Sequence, residues 1–180
     1  MRVIAGKAKG HKLVAPKSDR VRPALDQVKE AIFNILFDVE GLSVLDLFAG
    51  SGSVGIEALS RGAKRCVFVE EWQPAINSII TNLEHTKLKD SAKVIKFSVK
   101  KAINFFNREG SQFDLIFVDP PYEKDLVNKT LEHIAGTTLI HDDTIIVVEH
   151  HPKEPISEDI DLTITDSRKY GQTYISFLKR

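Results

Sequence analysis

A tetrapeptide in the second half of the chain carries groups that can hold and align an amine. The apolar run from Phe113 to Val118 stops at Asp119, Pro120, Pro121 and Tyr122. Proline fixes φ and cannot continue a strand ladder, so this sequence ends a strand and presents a carboxylate, a carbonyl and an aromatic ring rigidly. Asp119 and the Pro120 carbonyl can accept the two N–H bonds of an exocyclic amino group, while Tyr122 stacks on its base. We therefore predict a site for the amino group of a nucleobase.

A second motif, upstream, is typical of a site for a nucleotide-like ligand. The segment Ser43–Gly55 is a short apolar run followed by Gly50, Gly52 and Gly55, which fit the G-x-G-x-x-G spacing. Such glycines allow a tight turn, a close approach of backbone to ligand, and close packing of the next helix on the strand. Glu70 ends the next apolar run, where a carboxylate can accept hydrogen bonds from both ribose hydroxyls of an adenosine.

The glycine loop alone fits both a dinucleotide oxidoreductase and an S-adenosylmethionine (SAM) methyltransferase. The strand end at Asp119 favours methyl transfer, because hydride transfer has no evident use for it. Asp-Pro-Pro-Tyr on its own is more often only a turn that ends a strand, but the glycine loop upstream favours a functional site here. An exocyclic amine is a poor nucleophile, since its lone pair is delocalised into the ring, and its base must first leave its helix or loop. Once the amine is aligned, attack on a sulfonium methyl needs no metal and no covalent enzyme intermediate.

With both motifs considered, the chain resembles the class I SAM-dependent methyltransferases that modify amino nitrogens of bases, whose signature is Asp/Asn/Ser-Pro-Pro-Tyr/Phe. It is most similar to the RsmD-type bacterial 16S rRNA (guanine-N2) methyltransferases. The N-terminal segment and the Arg-Pro helix are the specific parts, since the two catalytic motifs alone indicate only the broader class. The similarity runs nearly end to end, through Arg2–Lys7, Arg22-Pro23, Asp26, Lys29-Glu30, Phe33-Asn34, Asp46–Gly52, Glu57–Ala63, Val118–Tyr122 and Tyr170-Gly171.

The resemblance implies methyl transfer from SAM to the N2 amine of a guanine in 16S rRNA, with S-adenosylhomocysteine as product and no metal. It assigns catalysis to Asp119, Pro120, Pro121 and Tyr122. Ser98 stands where many relatives have an Asp or Asn that contacts the adenine amine, and Ala24 where the family often has threonine. Arg22, Asp26 and Lys29 are implied to lie near donor and target. The implied donor contacts are Asp46, Phe48, Ala49, Gly50, Ser51, Gly52, Glu70 and Ser98.

The positive charge of the chain is concentrated at its N-terminus. Met1–Arg22 contains seven basic residues and one acidic residue, a net charge of +6, although the whole chain is neutral. Apolar pairs at 3–4 and 13–14 flank the Gly6–Gly10 turn as in a hairpin, whereas a solvated tail would not need them. An ordered basic hairpin can bind a polyanion such as RNA. The residues predicted to contact RNA are Arg2, Lys7, Lys9, Lys12 and Arg22.

Composition indicates one domain over residues 1–180, with residues 1–22 as a basic N-terminal hairpin extension. The chain has 180 residues, of which 42% are hydrophobic, and a single core suffices at this size. Cys66 is its only cysteine, which fits a reducing compartment, and no apolar run is long enough to span a membrane. His150-His151 lack a third ligand at metal-binding spacing. We therefore expect a cytoplasmic protein with no metal, no membrane and no obligatory protein partner, whose partner is 16S rRNA or an assembly intermediate of the small ribosomal subunit.

The order of the elements predicts an α/β fold that brings the two motifs together. Strands and helices alternate from Ser43 to Glu149, and a closing hairpin follows over Asp161–Asp166 and Thr173–Leu178. This order favours a mostly parallel, doubly wound sheet with ligands at the carboxyl ends of its strands. The resemblance implies a Rossmann-like class I methyltransferase fold with seven strands, of which the last is inserted antiparallel. A β-hairpin and a helix precede this fold at the N-terminus.

Two alternative functions remain open. Asp-Pro-Pro-Tyr also serves adenine N6 in DNA methyltransferases, so that amine is the first alternative. The second is a non-catalytic RNA-binding factor for ribosome assembly, which would keep the fold without any need for SAM.

Overall fold

The computed structural model describes residues 1–16, 26–121 and 125–180. Within these ranges, short apolar runs form strands and the amphipathic segments between them form helices. The helices are α1 (Asp26–Leu36), α2 (Ser53–Ser60), α3 (Gln73–Thr86), α4 (Val99–Arg108) and α5 (Leu126–Ala135), with a 3-10 turn at Lys89–Ser91. The strands are β1 (Ser43–Asp46), β2 (Arg65–Glu70), β3 (Ala92–Lys96), β4 (Leu115–Val118), β5 (Ile145–His150), β6 (Thr163–Tyr170) and β7 (Thr173–Lys179).

The described strands form one seven-stranded sheet in the order β3-β2-β1-β4-β5-β7-β6. Pairing is parallel from β3 through β5, while β7 pairs antiparallel with both β5 and β6. The last strand is thus inserted antiparallel between β5 and β6. This confirms the predicted class I fold and its mostly parallel doubly wound sheet.

Both faces of the sheet are covered, which explains why its central strands read as continuous apolar runs. Val44 packs in the core beneath α1, α2 and α3, whereas its neighbour Leu45 packs in the core beneath α4 and α5. Because β1 and β4 are adjacent and parallel, their carboxyl ends meet at one edge of the sheet. The two motifs follow β1 and β4 directly, so the fold brings them together.

Three boundaries differ from the sequence-based expectations. The N-terminal reversal exists, but within residues 1–16 its ladder is a single antiparallel bridge between Arg2 and Lys12. Strand β6 continues to Tyr170, so the closing turn is Gly171–Gln172. Strand β4 begins at Leu115 rather than at Phe113, and it ends at Val118 as predicted, which leaves Asp119 outside the ladder. Among the described helices, none is long and apolar enough to cross a bilayer.

Candidate active site

The carboxyl ends of the strands open into a cleft of about 1950 Å³. Asp46 and the loop Phe48–Ser51 line one side of it, and Glu70 lies beside them. Asp119 and the two prolines that follow it line the other side. The structure therefore brings both predicted motifs into one cavity. Tyr122, predicted to stack on the base, lies outside the described residues.

The glycines of the loop act in different ways. Gly50 and Gly52 have φ of 54° and 78°, a conformation that only glycine adopts without strain. At Gly55, an added Cβ would lie 2.4 Å from the Phe68 ring and 2.7 Å from Cys66 Sγ, so this position lets α2 pack directly on β2. Gly50 lines the cleft, whereas an added Cβ at Gly52 would meet Ile79 in the core at 3.3 Å. Gly52 thus shapes the turn rather than the cleft wall.

Glu70 holds the glycine loop and the following chain in place. Its Oε2 accepts a hydrogen bond of 2.9 Å from the Gly50 N–H. Its Oε1 accepts bonds of 2.8 and 2.9 Å from the N–H groups of Glu71 and Trp72. The carboxylate is therefore fixed at the cleft wall by three backbone donors, in the place predicted to bind a ribose.

Asp46 is a buried carboxyl at the end of β1. Its Oδ2 accepts a 3.2 Å hydrogen bond from the N–H of Gly55, in the first turn of α2. Burial is the main cause that raises the pKa of Asp46 to about 7; the bond from Gly55 opposes the rise, and the charge of Glu70 adds a smaller contribution to it. Asp46 therefore changes charge near neutral pH.

Asp119 lines the cleft, and its side chain is exposed to the cleft. Burial raises the pKa of Asp119 well above its usual range, and the charges of Glu149 and Asp46 add to this rise. Among the described residues, no hydrogen bond to its carboxylate opposes the rise. The adjoining Pro120 is buried and Pro121 is exposed.

Ser98 lies at the cleft, but its hydroxyl has a structural role. It is the N-cap of α4 and accepts a 3.4 Å hydrogen bond from the Lys101 N–H. Two aromatic residues near strand ends, Trp72 after β2 and Phe97 after β3, also line the cleft. Sequence reasoning missed both, although an aromatic residue just beyond a strand end is a usable signal.

The predicted RNA-binding side chains of the N-terminal segment lie at the surface, outside the cleft. Arg2, Lys7, Lys9 and Lys12 are exposed, and none is among the described residues that line the cavity. Arg2 Nε lies 3.8 Å from Asp26 Oδ2. Arg22 lies outside the described residues.

Glu57 in α2 anchors this segment. Its carboxylate accepts hydrogen bonds of 2.8 and 3.0 Å from the N–H groups of Ile4 and Ala5, and one of 2.8 Å from Arg61 Nε. Lys29 Nζ lies 3.7 Å away, and neither Lys29 nor Glu57 is exposed.

Lys29 joins α1 to the same network. Its Nζ donates to the Arg2 carbonyl at 2.6 Å and to Ser53 Oγ at 3.2 Å. Burial lowers the pKa of Lys29, and the charges of Glu57 and Asp26 oppose this. The resemblance implied a place near donor and target, and the structure shows a buried support beside the cleft.

Asn82 in α3 joins the N-terminal segment to the glycine loop. Its Oδ1 accepts a 2.8 Å bond from the Val14 N–H, and its Nδ2 lies 2.9 Å from the carbonyl oxygens of both Val14 and Ser51. One buried amide thus connects the basic segment with the loop at the cleft.

The adjacent histidines have structural partners. His150 Nδ1 bonds the Glu154 carbonyl at 3.1 Å, which makes it the protonated nitrogen, and Nε2 then accepts from Ser176 Oγ at 2.9 Å. Across residues 1–16, 26–121 and 125–180, no group of three or more His, Cys, Asp and Glu side chains could hold a metal ion.

The sheet order and the cleft define the class I, Rossmann-like methyltransferase fold. A family model described as conserved hypothetical protein 95 matches residues 1–179, and the chain belongs to this family. This membership confirms the resemblance to the RsmD-type enzymes.

Individual relatives agree with this assignment. The chain is 38% identical to YlbH of Bacillus subtilis (strain 168), described provisionally as an rRNA methyltransferase, over 100% of this chain and 99% of that protein. It is 35% identical to ribosomal RNA small subunit methyltransferase D of Escherichia coli (strain K12), over 83% of this chain and 74% of that protein. A solved structure of Escherichia coli yhhF, described provisionally as a methyltransferase, matches with a TM-score of 0.86 and 30% identity, over 100% of this chain and 97% of that one.

Proposed function

We propose that this protein transfers a methyl group from SAM to the exocyclic N2 amine of a guanine in 16S rRNA. The observation that supports this most is the shared cleft, in which a glycine loop faces the Asp119-Pro120-Pro121 strand end. The relative named ribosomal RNA small subunit methyltransferase D supports the choice of RNA. The substrate is free 16S rRNA or an assembly intermediate of the small subunit, which implies a cytoplasmic enzyme.

The residues of the loop side fit SAM. Gly50 brings backbone without a side chain to the cleft wall, and the carboxylates of Asp46 and Glu70 complement a positively charged ligand. When bound, SAM supplies an electrophilic methyl group that an amine nitrogen can take directly. We assign its binding to Asp46, Phe48, Ala49, Gly50, Ser51, Glu70 and Ser98, with Gly52 shaping the turn.

The strand end would orient the amine and take its proton. Asp119 and the Pro120 carbonyl each accept one N–H bond, which directs the nitrogen lone pair away from the two acceptors. Tyr122 would stack on the base. Methylation leaves one proton to be removed from the nitrogen, and a carboxylate with a raised pKa is a better base than an ordinary aspartate. Asp119 can therefore both hold the amine and accept this proton.

The exposed basic side chains of the N-terminal segment would bind phosphates. Lys7, Lys9 and Lys12 project from a segment that Glu57 and Asn82 tie to the catalytic domain. Such contacts release counterions from the RNA, so binding weakens as salt rises.

Nucleoside analysis tests this function. The protein is incubated with methyl-labelled SAM and, separately, with naked 16S rRNA, immature small subunits or duplex DNA. We expect label in N2-methylguanosine from one of the two RNA substrates. Label in N6-methyladenine of DNA would replace the proposal with the first alternative. RNA binding without SAM binding or label would replace it with an assembly factor.

A further inference from the structure

A second carboxylate lies beside Asp119 at the amine side of the cleft. Strands β4 and β5 pair in parallel up to Val118 opposite Val148, and Asp119 and Glu149 directly follow these two residues. Paired strands lie about 4.8 Å apart. Asp119 and Glu149 therefore lie at neighbouring positions at this edge of the sheet, and both line the cleft.

Glu149 is held from the neighbouring strand. Oγ1 of the buried Thr173, on β7, lies 3.3 Å from Glu149 Oε1 and 3.2 Å from the carbonyl oxygen of His150. The Thr173 hydroxyl can donate its proton either to Glu149 Oε1 or to the His150 carbonyl oxygen. The charge of Glu149 is also one cause of the raised pKa of Asp119, which agrees with the place of both groups in one cleft.

The Watson–Crick edge of guanine matches two neighbouring acceptors. Guanine presents its N2 amine beside an N1–H donor, whereas adenine presents an N6 amine beside an unprotonated N1. An ionised carboxylate only accepts hydrogen bonds. If Asp119 holds the N2 amine, a carboxylate next to it can accept the N1–H of guanine and would face the lone pair of N1 in adenine.

We propose that Glu149 accepts the N1–H of the target base and so determines that the enzyme acts on guanine rather than on an adenine-like edge. This inference rests on the proposed function, because it needs a guanine amine at Asp119. A site built to accept a substrate N–H rejects analogues that lack it, by about 10⁴-fold in favourable cases, and we expect a smaller factor here because Glu149 is only partly buried.

The test compares two bases at the nucleotide that the wild-type protein is found to methylate. RNA is assembled by ligation with either guanine or 2,6-diaminopurine at this position. The analogue keeps the 2-amino group but has no hydrogen on N1. The ratio of kcat/KM for the two RNAs is measured within each variant, so a change in the active fraction cancels.

We expect the wild-type protein to prefer guanine by about 100-fold or more. Glu149→Gln should lower kcat/KM for guanine and retain or raise it for the analogue, because the glutamine amide can donate to N1, so the preference should fall below about tenfold. Glu149→Asp keeps an acceptor and should retain part of the preference. Glu154→Gln is the matched control, since Glu154 lines the same cleft but bonds the N–H of Asp125.

Three results would overturn the proposal. The first is a wild-type protein that methylates both bases equally well. The second is Glu149→Gln lowering both rates by one factor, which indicates a structural role. The third is Glu154→Gln changing the preference as much as Glu149→Gln does. Absence of any guanine N2 methylation by the wild-type protein would instead remove the proposed function, and this inference with it.

Discussion

Carboxylates on the two sides of the cleft are held differently. On the glycine-loop side, Glu70 accepts three backbone N–H bonds, Glu57 accepts two, and Asp46 accepts one. At the end of β4, Asp119 has two negative neighbours, and within the described residues no hydrogen bond to its carboxylate lowers its pKa.

This difference indicates which side is organised before its ligand arrives. Backbone N–H groups hold the loop in one shape, so the glycine-loop side of the cleft needs little rearrangement when its ligand binds. Asp119 instead has acceptor capacity that an amine can satisfy. An N–H donor from the substrate would stabilise the ionised carboxylate and lower its pKa, so binding of the base completes this side.

The largest expected effect concerns Asp46, on the glycine-loop side. The unfolded chain releases this proton near pH 3.8, whereas the folded protein keeps it until about pH 7. The stabilisation by the protonated carboxyl is therefore present below pH 3.8 and is lost as pH rises through 7. Asp46→Asn does not titrate, so from pH 4 to 8 its free energy of unfolding should rise relative to wild type by up to about 4 kcal/mol. Urea unfolding across this range measures it. The exposed Asp90→Asn is the control, and a similar shift there would contradict the assignment.

Asp119→Ala should separate chemistry from donor binding. Loss of one contact made in the transition state lowers kcat by about 10²–10³-fold, or ~2.7–4 kcal/mol, while SAM affinity should stay near normal. Single-turnover methylation and calorimetric SAM titration measure the two effects. A near-normal rate would remove Asp119 from the mechanism, and an equal loss of SAM affinity would show that the two sides do not act independently.

Lys29→Met tests the support of the loop side. Removal of one partner from a buried ion pair should lower the free energy of unfolding by about 3 kcal/mol, because Glu57 stays buried without that charge. Lys89→Met removes the exposed pair with Glu84 and should leave stability unchanged. Equal losses in the two variants, measured by urea unfolding, would show that burial of the Lys29 pair is not the cause.

Glu70→Gln should have the smallest effect. It should weaken SAM binding and leave kcat near normal, whereas Asp119→Ala should do the reverse. One charged acceptor of backbone N–H groups is lost, so SAM affinity should fall about tenfold, or ~1.5 kcal/mol, while kcat at saturating SAM stays near wild type. Glu71→Gln is the control, since Glu71 joins this network through its backbone N–H. A lower kcat with unchanged affinity would reverse the roles of the two sides.

The sequence predicts the sheet and the cleft well because both depend on local patterns. Apolar runs, a glycine spacing and two prolines mark where β1 and β4 end, and adjacency of these strands follows from the fold class. The neighbouring positions of Asp119 and Glu149, each directly after the paired residues Val118 and Val148, can be recognised only once β5 is known to lie beside β4.

The supporting contacts could not be predicted because they join distant segments. Lys29 and Glu57 are ordinary helix charges in the sequence, and only tertiary packing buries them together. Ser98, a ligand contact by resemblance, also caps α4 through its hydroxyl, a structural role that its position before a helix could have indicated.

The amide of Asn82 couples the N-terminal extension to the glycine loop at the cleft. A shortened protein that began after residue 16 would lose both Val14 bonds, and of the amide's contacts with the described part of the chain the bond to the Ser51 carbonyl would remain. Trimming to a minimal catalytic core would thus disturb the very loop it was meant to isolate. A test of the proposed RNA binding should therefore exchange the lysines of the extension one by one and keep its backbone intact.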